Sequence, residues 1–333
     1  MATRDALGRP LSNLRLSVTD RCNLRCAYCM PEESYRWLPR DALLSFEELS
    51  TLVDAFVALG VRRVRLTGGE PLLREGLPAL VQALARKPLE DLSLTTNGVL
   101  LPALAGELKQ AGLQRLTVSL DTLRAERFER LTRRKQLGAV LEGLHAARRV
   151  GFTELKLDTV VMRGVNDDEL DELLRFAREL GAELRFIEYM DVGGATRWSP
   201  AQVVPVRELL ERLGPARPLP GRGSAPAQRY ARDDGQIFGI IGATTQPFCA
   251  ACDRARVTAD GTFFSCLYAT HGVDLRPTLR AGGDVTAQLD ETWRSRRARG
   301  AEERLALRDA RGPLANAQQL RDAPHLEMHT RGG

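Results

Sequence analysis

The segment "LRLSVTDRCNLRCAYC" (residues 14–29) holds two patterns end to end. Leu14, Leu16 and Val18 alternate with Arg15, Ser17 and Thr19, the period of a β-strand with one apolar and one polar face. Cys22, Cys26 and Cys29 follow at once, on the loop at that strand's C-terminal end, where barrel enzymes place their chemistry. A structural zinc takes four ligands, and so does a closed iron–sulfur cubane. Three thiolates hold three irons of a cubane and leave the fourth iron an open position, the mark of a reactive site.

The same phase recurs further along. Val64 and Leu66 alternate with Arg63, Arg65 and Thr67; Leu116, Val118 and Leu120 alternate with Thr117, Ser119 and Asp121; Leu155 and Leu157 alternate with Lys156 and Asp158. Further β-like runs at 91–98 and 183–190 bring the number to six. Helical patterns lie between them. "SFEELSTLVDAFVALG" (45–60) opens with a Ser-x-x-Glu capping box and closes on Gly; "NDDELDELLRFARELG" (166–181) has an acidic first turn and ends in Gly. Strand and helix alternating six times predict an α/β fold, a partial (β/α)6 TIM-type barrel, with a doubly wound open sheet as the structural alternative. Parallel strands under helices usually read apolar on both faces. A polar inward face cannot line a filled core, because an unpaired buried charge is too costly. It lines a wet cavity or a ligand site.

Beyond 190 a short helix is expected over 204–214, and 215–229, rich in Pro, Gly and small residues, reads as a linker. Residues 236–243 and 254–266 read as strands, the second folded into a hairpin by Asp260-Gly261. The boundary expected from this is a barrel domain over 1–225 and a C-terminal domain over 226–333, the latter arginine-rich and helical in part from 285 onward.

The chain has 333 residues, 43% apolar and 27% charged, with 48 Lys+Arg against 43 Asp+Glu. Residues 1–13 form no apolar signal, and no run approaches a membrane span, so a cytoplasmic protein is expected. There, grouped cysteines point to metal or catalysis rather than disulfides. All six fall into two groups, Cys22, Cys26, Cys29 and Cys249, Cys252, Cys266. By spacing alone the second group is also open to a Cys3His zinc site with His271. "RSRRARG" (294–300) lacks interleaved aromatics, so it reads as a solvated helix face rather than a nucleic-acid patch.

Cys22-x3-Cys26-x2-Cys29, with Tyr28 before the last cysteine, resembles the signature of the radical S-adenosylmethionine superfamily, and "TGGEP" (67–71) resembles its motif for the methionine amino group. Cys249-x2-Cys252-x13-Cys266, with Arg254 and Arg256 directly after the middle cysteine and a terminal Gly332-Gly333, is similar to the GTP 3',8-cyclase family (molybdenum cofactor biosynthesis protein A) within that superfamily. The resemblance runs over nearly the whole chain. It implies two [4Fe-4S] clusters, one on each cysteine triad, the second in a C-terminal iron–sulfur extension. S-adenosylmethionine would bind the first cluster's open iron, and guanine the second's.

By the same resemblance, Tyr28, Gly69, Thr96, Ser119 and Met190 would contact S-adenosylmethionine, with the Gly69 backbone close to the ligand and Glu70 serving nearby polar contacts. Arg15, Arg63, Arg65, Lys156, Arg185, Arg254 and Arg256 would hold the GTP triphosphate, and the Gly332-Gly333 tail would reach toward the active site. The strand phase points independently to Arg15, Arg63, Arg65 and Lys156. The implied reaction takes hydrogen from C3' of GTP and closes the sugar onto guanine C8, giving 3',8-cyclo-7,8-dihydro-GTP. Implied partners are GTP, an external one-electron reductant and a downstream cyclic pyranopterin monophosphate synthase, with a homodimer left open and no membrane or nucleic acid. One departure is Asp158, where the family usually has Asn.

Overall fold

The computed structural model describes residues 2–332. Its first half alternates as the periodicity predicts: β1 (Asn13–Ser17), α1 (Phe46–Ala58), β2 (Arg63–Thr67), α2 (Leu77–Ala85), β3 (Asp91–Thr96), α3 (Leu101–Gln110) and β4 (Arg115–Ser119). Two helices, α4 (Ala125–Thr132) and α5 (Leu137–Arg149), precede β5 (Leu155–Val161), α6 (Leu170–Leu180) and β6 (Glu183–Glu188). Then come α7 (Val206–Leu213), β7 (Ala216–Pro218), β8 (Gln228–Arg232), β9 (Ile237–Ile241), β10 (Arg254–Val257), β11 (Thr262–Phe264) and β12 (Val273–Asp274). Short helices finish the chain: α8 (Arg276–Arg280), α9 (Val285–Arg294), α10 (Gly300–Ala306), α11 (Ala317–Asp322) and α12 (Met328–Arg331).

The outward side chains of the strands make the core. Leu14, Leu16, Val64, Leu66, Leu92, Leu94, Leu116, Val118, Leu155, Leu157, Leu184 and Phe186 are each 2% exposed or less. They pack with helix residues such as Leu52, Phe56, Leu80, Leu108, Leu144 and Leu173 in one continuous apolar cluster. The capping box of α1 forms as the sequence predicts: Glu48 N–H donates to Ser45 Oγ at 3.1 Å, and Ser45 N–H to Glu48 Oε2 at 2.7 Å.

All twelve strands join one sheet, in the order β12-β11-β10-β1-β2-β3-β4-β5-β6-β9-β8-β7. The six alternating strands are parallel neighbours, the partial barrel the sequence predicts. The C-terminal residues then extend that barrel at both ends: β10 pairs in parallel with β1, and β9 in parallel with β6. The stretch 215–229 departs from a plain linker. Its ends form β7 and β8, an antiparallel pair beside β9, and Ser224 Oγ donates to Asp253 Oδ2 at 2.6 Å. Pro and Gly there serve a hairpin, and Ser224 ties the β9 end of the barrel to the β10 end.

Register aligns the inward residues in layers. Arg256, Arg15, Arg65 and Ser93 are successive partners across β10, β1, β2 and β3. Ser119, Asp158, Arg185 and Gly239 are successive partners across β4, β5, β6 and β9. A Cβ on Gly239 would stand 3.0 Å from Arg185 Cγ, so glycine makes room for that side chain.

A fragment of residues 1–225 loses β9 and β10 together and leaves both β1 and β6 as bare edges, a template for aggregation. Expressed alone it is expected to be insoluble or to melt without a sharp transition. A soluble fragment with a cooperative melt by circular dichroism would show instead that the six-strand unit is self-sufficient.

Candidate active site

The polar faces of the strands enclose one cavity of about 570 Å³. All six cysteines line it, together with Tyr28, Gly69, Thr96, Ser119, Met190, Arg15, Arg63, Arg65, Lys156, Arg185, Arg254 and Arg256. The first triad follows the C-terminal end of β1. Cys249 and Cys252 precede the N-terminal end of β10, which runs parallel to β1 with Arg254 opposite Asn13. The two triads therefore stand at opposite ends of the cavity.

The first cysteine loop is held from several sides. Cys29 N–H and Met30 N–H donate to Cys26 O at 2.9 and 2.7 Å, and the Arg25 guanidinium donates to Cys22 O and Leu24 O, both at 2.8 Å. That guanidinium also lies 5.5 and 5.4 Å from the ring centroids of Tyr35 and Trp37, a cation–π contact. Tyr28 Oη donates to Asp121 Oδ2 at 2.7 Å, and burial lifts the Asp121 carboxyl to about 6. Burial pushes the Cys22 thiol up to about 11 and lifts Cys26 and Cys29 further.

The glycines of "TGGEP" line the cavity and also admit a close backbone approach. A Cβ on Gly68 would stand 2.3 Å from Thr19 O, and one on Gly69 would stand 2.3 Å from Arg21 O. They let β2 press against the start of the cysteine loop. Glu70 ties the next strand in: its carboxylate accepts from Thr96 Oγ1 and Asn97 N–H, both at 2.7 Å, and from Leu72 N–H at 3.0 Å. Burial lifts Glu70 to about 7. The Thr96 hydroxyl thus serves the frame.

At the other end, the Arg254 guanidinium sits 4.6 Å over the Phe248 ring and donates to Cys252 Sγ at 3.6 Å. Burial pushes the Cys252 thiol up, but Arg254 and Arg296 outweigh it and bring it down to about 7. A Cβ on Gly300 would meet Cys266 Sγ at 3.1 Å. His271 is exposed, with Nδ1 2.9 Å from Thr270 Oγ1, and does not line the cavity, so the Cys3His zinc alternative lacks its fourth ligand. Among the described residues, no three His, Cys, Asp or Glu side chains converge on a point that would hold a single metal ion. Three free thiols at each end are the donor set that a multi-iron cluster with one open iron takes.

Cations crowd the space between. Arg185 and Arg256 are buried, and Arg15, Arg65 and Lys156 half-buried. Burial, with Arg256 and Arg65 beside it, holds Arg15 well below the usual arginine range. Burial and neighbouring arginines bring Arg65 and Arg256 down to about 10, and Lys156 to about 8. Their partners are mostly neutral. Arg65 donates to Thr95 Oγ1 and Thr117 Oγ1 at 3.0 and 2.9 Å, while Arg256 and Arg15 donate to Gly332 O at 2.7 and 3.1 Å.

One carboxylate enters this group: Asp158 pairs with Arg185 at 2.8 Å, and so engages the arginine rather than Lys156. Arg63 stands apart at the rim, exposed and 3.5 Å from Glu90. Gly332 reaches the cations, with Cβ space closed by Thr67 Cγ2; Gly333 lies outside the described residues. Thr95 and Asn97 are contributions the sequence reading missed; Thr117 and Asp121 it placed on the inward face with Ser119, without a role.

A parallel barrel with a three-cysteine loop after its first strand defines the radical S-adenosylmethionine class. Residues 16–177 match the Radical SAM superfamily, and residues 182–302 match Molybdenum Cofactor Synthesis C. The crystal structure of Streptococcus suis SuiB bound to S-adenosylmethionine shares the fold, with a TM-score of 0.63 at 16% identity over 92% of this chain and 76% of that one. Among curated relatives, GTP 3',8-cyclase 3 of Mycobacterium bovis is 54% identical over 99% of this chain and 90% of its own length. GTP 3',8-cyclase of Aquifex aeolicus is 43% identical over 92% and 96%. The chain belongs to the GTP 3',8-cyclase family. That makes it a radical enzyme with S-adenosylmethionine and [4Fe-4S] clusters as its cofactors.

The cation group is expected to bind inorganic triphosphate with an affinity that falls above pH 8. Lys156 is charged below about 8 and loses its charge as pH rises through that value, so each further unit costs up to about tenfold for the one proton taken up on binding. Isothermal titration from pH 7 to 9.5 checks this. Lys156→Arg should flatten the profile; a profile unchanged by that substitution would remove Lys156 from the site.

Proposed function

We propose that this chain catalyses the cyclisation of GTP to 3',8-cyclo-7,8-dihydro-GTP, the first step of molybdenum cofactor biosynthesis. The observation that carries the reading is one cavity with a three-thiol group at each end and a partly uncompensated cation cluster between them. Cys22, Cys26 and Cys29 would hold the cluster that binds S-adenosylmethionine, with Tyr28, Gly69, Thr96, Ser119 and Met190 around the ligand. When bound, that pair supplies the 5'-deoxyadenosyl radical that takes the 3' hydrogen of GTP. Cys249, Cys252 and Cys266 would hold the second cluster and fix guanine at the far end.

Arg15, Arg65, Lys156, Arg185, Arg254 and Arg256 would neutralise the triphosphate, with Arg63 guarding the rim. Charge-assisted contacts of arginine to phosphate are roughly twice as strong as neutral hydrogen bonds. Holding base and phosphates at separate points leaves the sugar between them, where C3' meets the radical and C8 lies within reach of the resulting sugar carbon. Gly332 and Gly333 would close the cavity around the sugar. In this reading 1–225 supplies the radical and 226–333 supplies the guanine anchor.

The reading also requires a one-electron reductant and a synthase that turns the unstable product into cyclic pyranopterin monophosphate, and it leaves room for a homodimer. Six free thiols suit a reducing cytoplasm. Among the described residues, no helix is long and apolar enough to cross a membrane.

After anaerobic reconstitution, about eight irons per chain are expected, and about four when either cysteine triad is replaced by alanine. With S-adenosylmethionine and dithionite, 5'-deoxyadenosine should form in a GTP-dependent way and not with ATP. Formation independent of the nucleotide would sink the proposal. Asp158→Asn frees the buried Arg185 from its one carboxylate partner, so the Kd for GTP should fall, by about fivefold for each ~1 kcal/mol of interaction released. A weaker affinity would mean the carboxylate helps the site.

A further inference from the structure

The run "RSRRARG" (294–300), expected to be a solvated helix face, is not uniform. Arg294, Arg297 and Arg299 are exposed, but Arg296 is buried just beyond the end of α9. Its guanidinium lies 4.5 Å over the Trp293 ring, and its Nη1 donates to Cys252 O at 2.8 Å and to Asp5 Oδ2 at 3.2 Å. Asp5 also accepts from Arg9 Nε at 2.6 Å, and Arg9 Nη1 donates to Cys249 O and Ala298 O, both at 3.0 Å. Asp5, Arg9 and Arg296 are all buried.

Two guanidiniums thus share one carboxylate, which leaves one buried positive charge in excess. Arg9 Nη2 and Arg296 Nε are buried and without hydrogen-bond partners. Neither of the other acids near the loop pairs with Arg9 or Arg296: Asp253 accepts from the neutral side chains of Ser12, Asn13 and Ser224, and Glu302 pairs with Arg299. Breaking the neutrality of a buried ionic group is costly unless a further charge completes it. The charge that completes this one stands on the same loop: three thiolates around a doubly positive iron–sulfur core leave one net negative charge.

We propose that Asp5, Arg9 and Arg296 are positioning residues that fix the backbone of the second cysteine loop and set the reduction potential of the cluster it holds. This rests on the proposed second cluster at Cys249, Cys252 and Cys266. A cation beside a cluster favours the reduced, more negative state. Removing one makes reduction harder, and removing the carboxylate makes it easier. The N-terminal residues 5–9 thereby act on chemistry that is more than two hundred positions away in sequence.

The test uses the full chain with Cys22, Cys26 and Cys29 replaced by alanine, so that only the second cluster is read, by redox titration followed with electron paramagnetic resonance. Arg296→Gln should lower the reduced-to-oxidised ratio at fixed potential about tenfold, a shift of about 59 mV to more negative values for one electron. Asp5→Asn should shift it the opposite way, and Arg296→Lys, which keeps the charge, should restore the original value. Disturbed packing alone would not give opposite signs. Potentials unchanged in both variants, or shifted in the same direction, would overturn the inference. If the Gln variant does not fold, the Lys and Asp5→Asn variants decide it alone. A parent protein that takes up no iron at these cysteines would overturn the proposed cluster itself, and the inference with it.

Discussion

The constraint on which the structure turns is like-charge crowding inside a barrel. Arg15, Arg65, Lys156, Arg185 and Arg256 point into one enclosed space, where burial and neighbouring cations depress the proton affinities of Arg15, Arg65, Lys156 and Arg256. Such a group is tolerated only if the rest of the fold holds it. The outward faces do that, with Leu14, Leu16, Val64 and Leu66 at 1% exposure or less under the helices. Threonine hydroxyls and the Gly332 carbonyl supply neutral acceptors in the meantime. Stability is invested in the shell so that the interior can remain short of anions.

The fold's other features follow from keeping that space closed. Six parallel strands curve round the cavity but do not complete a barrel. β9 and β10 lengthen the wall at its two ends, and the Ser224–Asp253 hydrogen bond links the segments leading into them. The C-terminal helix α12 brings Arg331 inside, where its guanidinium lies 4.1 Å over Phe264 and donates to Leu267 O at 2.8 Å, so that Gly332 lands on the cations. A Cβ at Gly332 would collide with Thr67, so the tail passes only as glycine.

Much of this was legible from period alone. Alternation in "LRLSVT" and "RVRLTGG" places Arg15 and Arg65 on the inner face, because a strand's side chains have no other option. Cysteine spacing marks both triads for the same local reason. Long-range pairing was not legible: nothing near Arg254 says that it will face Asn13, some 240 residues earlier. Arg296 was missed because its burial depends on Asp5 and on the Cys252 carbonyl, neither of them nearby in sequence. The "TGGEP" glycines signal close approach, but the packing against the backbone of Thr19 and Arg21, some fifty residues earlier, could not be read from them.

The two ends of the cavity differ in electrostatic sign, and that difference bears on their roles. Around the first triad stand carboxyl groups, Glu70 near Cys22 and Asp121 near Cys26, which with burial raise the thiols. Around the second stand Arg254 and Arg296, which outweigh burial at Cys252. S-adenosylmethionine carries a sulfonium cation, and GTP a polyanion. A cation gains nothing from the arginine end, and a triphosphate is repelled from the acidic one. In the proposed function, the same potential would draw the nucleotide deep into the barrel and keep the two ligands from exchanging places. The order of the two cysteine triads along the chain becomes an order in space because β1 and β10 are parallel neighbours.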